Sequence, residues 1–470
     1  MSINDIQYIY DSKTKSLEEF RPVEDGKVSF YVCGPTVQAG PHIGHLRSAV
    51  VFDVVRRWFD HLGYETVYIQ NITNIDDKII NKANDNGIEW WRVATENERL
   101  FNKAYEKLNI LPPSIQPRAT DHITQIIDYI ERIIDNGYAY VGSDNSVYFD
   151  LVSWMSTVGN NTATVSGNVL DNDIDEDLSG NVAKRHRQDF ALWKSQKPGE
   201  PAWNSPWGKG RPGWHIEDTA IATYYLGEVF DIHGGGIDLK FPHHDAEQFQ
   251  AYAAGDEFSR YWMHNHWVTL KGEKMSKSLG NTVSAENLLD IVRPIDLRYY
   301  LMTAQYSSVL EYSESSLIDA SKSMKGIEEF FKKVLRKHEI IQVGDIPEEF
   351  RSAMLHDFNT PVALSVIHEM MKNGNIALDN NDDASLFYAQ QVRAMLSVLG
   401  VDPLSESWGM KISDDVNMEK LDSVVSGMLQ DREQARKNKD WSVADSIRDT
   451  LTQAGIVIID TPDGPHWEFA

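Results

Sequence analysis

Cysteine is almost missing from this chain: Cys33 is the single one among 470 residues. That excludes an internal disulfide. Long apolar runs are missing too. Nowhere do about 18 apolar residues follow one another, and the N-terminus carries no charged-then-apolar leader. The expectation is a cytoplasmic protein without a membrane partner. Positive charge is the third shortage: Lys and Arg total 45 against 70 Asp and Glu, a formal net charge of −25. Such a field repels nucleic acid as a whole, so a nucleic-acid partner would need a restricted basic path to its phosphates. At 470 residues the chain is too long for one core, and roughly two to four domains are expected.

What is there begins with Phe30–Pro35, which reads as a short buried strand and a glycine- and proline-broken turn. Pro41–His45 then opens a long helix, because Leu46, Val50, Val51, Val54, Val55, Trp58, Phe59 and Leu62 recur at helical spacing. A strand feeding a glycine-containing helix start is suited to holding a phosphate, with backbone N–H groups and the positive dipole end aimed at it. His42 and His45 would add donors without a lysine's permanent charge. Two histidines at i, i+3 are as readily a helix cap or a packed pair. A second stretch, Lys271–Gly280, follows the strand-like His266–Leu270. Its Lys274 and Lys277 make it either a solvated basic turn or a lid over a polyphosphate.

Between these stretches, Glu65–Gln70 reads as a strand with Asn71–Lys78 at its carboxyl end. Strand–helix–strand order predicts a parallel sheet whose ligands gather at the carboxyl ends of the strands. Thr73 is placed either to touch a substrate or to cap a helix starting near Asp76. Helical patterns cover Glu89–Leu111 and His122–Asn136, Gly142–Tyr148 looks like a hairpin, and Gly159–Gly180 has the composition of a flexible arm. Glu217–Leu226 and His243–Ala254 read as helices, Val229–His233 as a strand and Gly234–Gly236 as a sharp turn. His243 and Glu247 share a helix face at i, i+4, a spacing that suits two ligands of one ion or an ordinary surface pair. Amphipathic helices recur from Leu288 to Leu399, and the last segment adds helices at Ser423–Asn438 and Ser442–Ala454 and a strand at Ile456–Ile459.

HIGH at 42–45 and KMSKS at 274–278, in that order, resemble the paired motifs of class I aminoacyl-tRNA synthetases. The finer resemblance is to the cysteinyl-tRNA synthetase family. It runs through YVCGPTVQAGPHIGHLRS from Tyr31, NITNIDDKI from Asn71, GRPGWHIE from Gly210, DIHGGGIDLKFPHH from Asp231 and ARKNKDWSVAD from Ala435. It implies an α/β chain: a Rossmann-like class I catalytic domain with a connective insertion, then a helical bundle and a small C-terminal anticodon-recognition domain. The divisions fall at 1–120, 121–200, 201–305, 306–400 and 401–470.

The same resemblance implies that L-cysteine is activated with ATP and passed to the 3′ end of tRNA(Cys). Catalysis would fall to His42, His45, Lys274 and Lys277. ATP would lie on Gly44, His45, Gly234, Gly235, Gly236, Asp238 and Lys277, with Mg²⁺ accompanying its phosphates. Cys33, Gly34, Thr73 and Trp214 would surround the amino acid. Arg436, Trp441, Asp445 and Asp460 would read the anticodon. One zinc ion would be held by Cys33, Asp218, His243 and Glu247, and the family tends to be monomeric.

The chain departs from the family pattern at Asp218, which stands where the family commonly has a second zinc-binding cysteine. Zinc accepts a carboxylate oxygen, so a Cys/Asp/His/Glu site is expected, with a more Lewis-acidic ion that still takes the substrate's thiolate. Binding through sulfur would separate cysteine from serine where a shape-matched pocket gives only ~1–3 kcal/mol. Nothing in the chain resembles an editing domain. Three other readings stand beside this one: a mycothiol-pathway cysteine ligase, a non-catalytic RNA-binding paralogue, and activation of a different amino acid because of Asp218. The helical bundle and the ARKNKDW-type tail favour the tRNA enzyme.

Overall fold

The computed structural model describes residues 6–158, 164–167, 183–274, 283–409, 412–461 and 464–469. The chain forms two compact units. One is Met1–Met324 with Asp345–Glu369 and Ala394–Val401; the other is Lys325–Gly344 with Met370–Arg393 and Asp402–Ala470.

A four-stranded parallel sheet organises the first unit, in the order Phe258–Asn265, Val229–Gly236, Lys27–Val32, Glu65–Gln70. Val28, Phe30, Tyr31 and Val32 are all buried, because this central strand is covered on both faces; hence its continuous apolar run instead of an alternation. Tyr31 lies opposite both Ile69 and His233, and Val32 opposite Gly234. Three carboxyl strand ends therefore meet, at Cys33, Asn71 and Gly236. The helix Ile43–His61 follows the central strand and buries Leu46, Val50, Val54 and Trp58. Deeper in the unit Arg298 pairs with Asp53 and donates to the carbonyls of Leu108, Asn109 and Leu399; burial lowers its guanidinium to about 10.

Between Glu65–Gln70 and Val229–Gly236 the chain builds a second, antiparallel sheet in the order Ala139–Val141, Val147–Phe149, Phe190–Ser195, Gly210–Pro212. Phe149 stacks on Phe190 at 4.9 Å, and Trp154 lies 4.7 Å from Phe249. Of the expected arm Gly159–Gly180 only residues 164–167 fall within the described part. There Val165 is buried and Ser166 is hydrogen-bonded to Asp245.

Four local expectations change. Gly234–Gly236 is not a turn: the glycines complete the strand and pair with Met263, His264 and Asn265. A Cβ on Gly234 would stand 2.3 Å from the Phe52 ring, so this glycine lets the first helix close on the sheet. The second helix pattern begins at Trp214, not at Glu217, with Gly213 at its N-cap. His243 lies in a wide helical turn, Lys240–His244, ahead of the regular helix Asp245–Ala254. Asp76, not Thr73, caps the helix Asp77–Asn86 by accepting from Lys78 N at 2.9 Å.

In the second unit the helices Ile412–Lys437 and Trp441–Gln453 and an antiparallel hairpin, Ile456–Thr461 with Gly464–Phe469, share a small core of Val425, Leu429, Leu451 and Ile456. The second strand of that hairpin escaped the sequence reading because its Gly-Pro start masks the pairing. Among the described residues no helix is long and apolar enough to cross a membrane.

Candidate active site

A cavity of about 630 Å³ opens at the carboxyl ends of the parallel strands, lined by Cys33, Asp218 and His243 and by His42, Gly44 and His45 of the helix start. Its first wall follows from strand geometry. Tyr31 and Cys33 are two residues apart, so they share a face of the chain as it leaves the sheet. Cys33 N donates to Gly234 O at 3.0 Å, and Gly34 N to Asn71 Oδ1 at 2.6 Å. A Cβ on Gly34 would lie 1.6 Å from Asn71 O, so no other residue fits there.

The helix Trp214–Leu226 presents Glu217 and Asp218 to this wall, and the turn Lys240–His244 presents His243. His243 Nε2 lies 3.1 Å from Asp218 Oδ2 and 3.1 Å from Glu247 Oε1. Glu247 Oε1 is also 3.7 Å from Cys33 Sγ. Donor atoms of Cys33, Asp218 and His243 lie within 4.8 Å of one another, and so do those of Cys33, His233, His244 and Glu247. The outer oxygens are taken: Tyr31 Oη donates to Asp218 Oδ1 at 2.8 Å, and His233 Nε2 to Glu247 Oε2 at 2.7 Å. His244 Nε2 stands 3.3 Å from Cys33 Sγ, and His215 Nδ1 2.7 Å from His243 Nδ1.

These donors fit a zinc ion. Bonds of about 2.0–2.3 Å at tetrahedral angles hold ligand atoms roughly 3.3–3.7 Å apart, close to the 3.1 Å from His243 to Asp218, the 3.1 Å from His243 to Glu247 and the 3.7 Å from Glu247 to Cys33. The electrostatics agree. Burial, with Glu247 and Asp218 nearby, pushes the Cys33 thiol well above its usual range. Burial likewise raises the Glu247 carboxyl, against the pull of His243. For His243 burial works downward, but Glu247 and Asp218 outweigh it and its pKa is raised. Buried His233 falls to about 3. A divalent cation favours thiolate, carboxylate and neutral imidazole together.

Next to this corner, Trp214 stacks on His243 at 4.4 Å, and Lys78 Nζ stands 5.2 Å from the indole. Thr73 Oγ1 donates to the buried Glu217, whose carboxyl is raised by burial and then by Asp218. With its hydrogen committed there, the Thr73 hydroxyl is left as an acceptor on the cavity it lines.

At the helix start the capping reading of H-x-x-H holds. His42 caps the helix, its Nδ1 accepting from Gly44 N at 3.1 Å, and its own N–H donates to His45 Nδ1 at 3.2 Å. Ile43 N donates to Val283 O at 3.1 Å. The amides of Ile43 and Gly44, expected to point freely at a phosphate, are thus engaged within the chain. A Cβ on Gly44 would lie 2.9 Å from the His42 ring, which is why glycine stands there. Gly236 and Asp238 line the cavity, whereas Gly234 faces Phe52, and Gly235 faces Leu239 and His244.

Arg47, fully buried, donates to the carbonyls of Trp267 (2.8 Å), Gln305 (3.0 Å) and Ser308 (2.6 Å). It thereby ties the helix start to the segment that leads into the lysine loop. Glu311 accepts from Thr269 Oγ1 and from Gly272 N at the root of that loop. The Lys274 side chain and residues 275–282, Lys277 among them, lie outside the described part. In the second unit Arg436 lies near the end of the helix Ile412–Lys437, and Trp441, 59% exposed, opens the next one. Asp445, one turn on, pairs with Arg448 at 3.4 Å; the Asp460 side chain lies outside the described part.

The sequence reading passed over Tyr31, Glu217, Arg47 and Glu311. Only Tyr31 carried a signal, its same-face spacing to Cys33.

Comparison with known proteins agrees with this architecture. Residues 19–322 match the family model described as the tRNA synthetases class I (C) catalytic domain. Fold and site together define a class I aminoacyl-tRNA synthetase. Residues 349–402 match the DALR domain, and residues 418–467 the cysteinyl-tRNA ligase anticodon binding domain. The chain belongs to the cysteinyl-tRNA synthetase family, and its reaction is the aminoacylation of tRNA with cysteine. The fold is similar to Mycobacterium tuberculosis methionyl-tRNA synthetase in complex with methionyl-adenylate, at 15% identity and TM-score 0.57 over 83% of this chain and 93% of that one. A second structure of that synthetase, bound by methionyl-adenylate, gives 15% and 0.57 over 80% and 90%.

Proposed function

We propose that the enzyme selects cysteine by its sulfur at one zinc ion held by Cys33, Asp218, His243 and Glu247, and activates it with ATP in the same cavity. The observation that supports this most is that Cys33, Asp218 and His243 line the same cavity as the His42–His45 helix start, with the Glu247 carboxylate 3.1 Å behind His243. When bound, the ion supplies a soft Lewis acid for the substrate's sulfur. Gly34 and Trp214 bound the amino-acid side chain. Thr73, fixed as an acceptor by Glu217, takes a hydrogen bond from the α-ammonium group.

ATP lies against His42, Gly44, His45, Gly236 and Asp238, with Mg²⁺ on its phosphates. The cysteine carboxylate attacks the α-phosphorus and pyrophosphate leaves. Lys277, supported by Lys274, meets the charge growing on the leaving group. A ribose hydroxyl at the tRNA 3′ end then attacks the adenylate carbonyl and AMP departs. Neither step uses a protein nucleophile, so alignment and charge stabilisation do the chemistry. Arg436, Trp441, Asp445 and Asp460 read anticodon bases, a guanidinium and carboxylates for base edges and an exposed indole for stacking. The divisions remain near residues 120, 200, 305 and 400; the antiparallel sheet that interrupts the parallel one supports an insertion, although its last strand, Gly210–Pro212, lies beyond residue 200. The substrates suit a cytoplasmic enzyme, and the family's tendency favours a monomer.

Amino-acid-dependent ATP–pyrophosphate exchange, run across amino acids, tests this reading. Cysteine should support exchange at least ~10³-fold better than serine, beyond the 10–200-fold or so that shape alone provides. Comparable exchange with serine or another amino acid overturns the selectivity. Transfer to an amino-sugar in place of tRNA overturns the acceptor. Protein purified without added zinc should contain one ion per chain; no bound transition metal defeats the metal site.

A further inference from the structure

The two carboxylates of the metal corner are presented in the same way. Each has two oxygens, and in each one oxygen is held from behind by a buried donor while the other faces His243 Nε2. For Glu247 the donor is His233 Nε2 at 2.7 Å, and the inward oxygen lies 3.1 Å from His243. For Asp218 the donor is Tyr31 Oη at 2.8 Å, and the inward oxygen again lies 3.1 Å from His243. Tyr31 and Asp218 are both buried, at 0% and 1% exposure, so water does not compete for either carboxylate oxygen.

We infer that Tyr31 is a positioning residue that makes Asp218 a one-oxygen metal ligand, so that the aspartate occupies a single coordination position as a thiolate would. This rests on the metal reading above. A carboxylate with both oxygens open can bind through one or through two. In the second case it crowds the ion and consumes a position that the substrate's sulfur needs. A phenol has one proton to give, and here it goes to Asp218 Oδ1. The inward oxygen is then the only one able to reach an ion shared with Cys33 and His243. The phenol also turns the carboxylate plane, because Tyr31 is anchored in the central strand and cannot follow the aspartate if it swings. Loss of an outer hydrogen bond of this kind weakens metal binding by about 10–100-fold in other sites.

Cobalt(II), a spectroscopic probe for zinc sites, tests the inference without reference to catalysis. Wild-type protein loaded with cobalt should show the intense visible bands of four-coordinate cobalt. Tyr31→Phe should bind cobalt about tenfold more weakly, with visible bands weakened toward the five-coordinate pattern as the freed oxygen joins the ion. Asp218→Cys removes the second oxygen altogether, so in that background adding Tyr31→Phe should leave affinity and spectrum unchanged. Equal affinity and equal spectra for wild type and Tyr31→Phe overturn the positioning role while leaving the metal site standing. If Tyr31→Phe fails to fold, weak five-coordinate bands in the wild type overturn it, and intense bands together with equal cobalt binding by Asp218→Cys and Asp218→Cys/Tyr31→Phe support it. A loss of about tenfold or more on adding Tyr31→Phe to Asp218→Cys means the phenol acts through packing, and the inference falls. Wild type that takes up neither zinc nor cobalt removes the metal reading itself, and this inference with it.

Discussion

In the cluster that meets the cavity through Cys33, Asp218 and His243, and is completed behind them by Glu247, side chains are locked by other side chains: Tyr31 behind Asp218, His233 behind Glu247, His244 beside Cys33, His215 behind His243. The other end of the site is a helix start that caps itself with His42 and His45 and is tied through Arg47 to three backbone carbonyls. On the function proposed above, the difference follows from the chemistry each end would serve. Selecting one atom by a coordinate bond needs several donors fixed to a few tenths of an ångström, which only a dry, cross-braced cluster provides. Meeting charge on a triphosphate needs cations brought to the right place at the right time, and a loop rooted on a fixed strand can do that. One end is rigid through its side chains, the other through backbone anchors.

Breaking the first end should have the largest effect. His243→Ala removes the atom that faces both carboxylates and leaves the buried acids without a cation to share. Metal content should fall to background, and cysteine-dependent kcat/KM by ~10³-fold or more, about 4 kcal/mol. ATP binding, measured by equilibrium dialysis, should stay within about threefold of wild type, since a substitution at one end should spare the other. Loss of both together would dissolve the contrast between the ends. Lys277→Ala tests the opposite end. Adenylation should slow by ~10²-fold while the KM for cysteine and the zinc content stay unchanged. Full pyrophosphate exchange in that variant would remove the lysine loop from the mechanism.

How much of this was legible in the sequence differs between the two ends for the same physical reason. The helix start was plain, because HIGH sits at the head of a strongly periodic helix and its neighbours are local in sequence. The metal corner draws on residues 33, 218, 243 and 247, and only family resemblance joined them; spacing related just His243 and Glu247. That spacing does bring the two together, although His243 lies in a wide helical turn ahead of the regular helix and reaches Glu247 from there. The glycine run at 234–236 looked like a turn because glycine is the usual turn residue. Here Gly234 is required by the close approach of Phe52, while Gly235 is only crowded by Leu239 and His244. The bracing residues were invisible for a simpler reason. Arg47 acts on backbone carbonyls more than 200 positions away, and Glu311 on a hydroxyl and an amide about 40 positions away, and a single sequence carries no mark of such contacts.

Arg47→Met should have an intermediate effect. It leaves three carbonyls without their donor inside the protein, where each unmet hydrogen bond to a charged group is worth about 1.5–3 kcal/mol. Melting temperature should drop, and because the fastened segment leads into the lysine loop, adenylation should slow by about 10–30-fold with KM for cysteine within twofold or so. Arg47→Lys, a point charge in place of a planar fork, should recover only part of the rate. A change in cysteine KM equal to the change in rate would mean that Arg47 braces both ends alike.

The smallest effect should come from Glu311. Its carboxylate accepts from the Thr269 hydroxyl and from Gly272 N, the residue at the turn between the strand Val268–Leu270 and the segment Glu273–Lys274. These bonds, that of Thr269 first, hold its carboxyl below the usual range, so the tie is present above the free carboxyl's pKa and is lost only as pH falls through the lowered one. Glu311 is exposed, so its removal is screened by water and should leave stability nearly unchanged. Glu311→Ala should therefore slow adenylation by only about three- to fivefold, while Glu311→Gln, which keeps one acceptor oxygen, should fall in between. Neither should alter zinc content, because no bond of Glu311 reaches the braced cluster. Measured from pH 6 to 8, where the wild-type tie is fully formed on either side of neutrality, the ratio of wild type to Glu311→Ala should be flat. A ratio that rises with pH would mean that the carboxyl is still titrating between pH 6 and 8, raised and not lowered, and the bonds from Thr269 and Gly272 would then not be what holds it ionised.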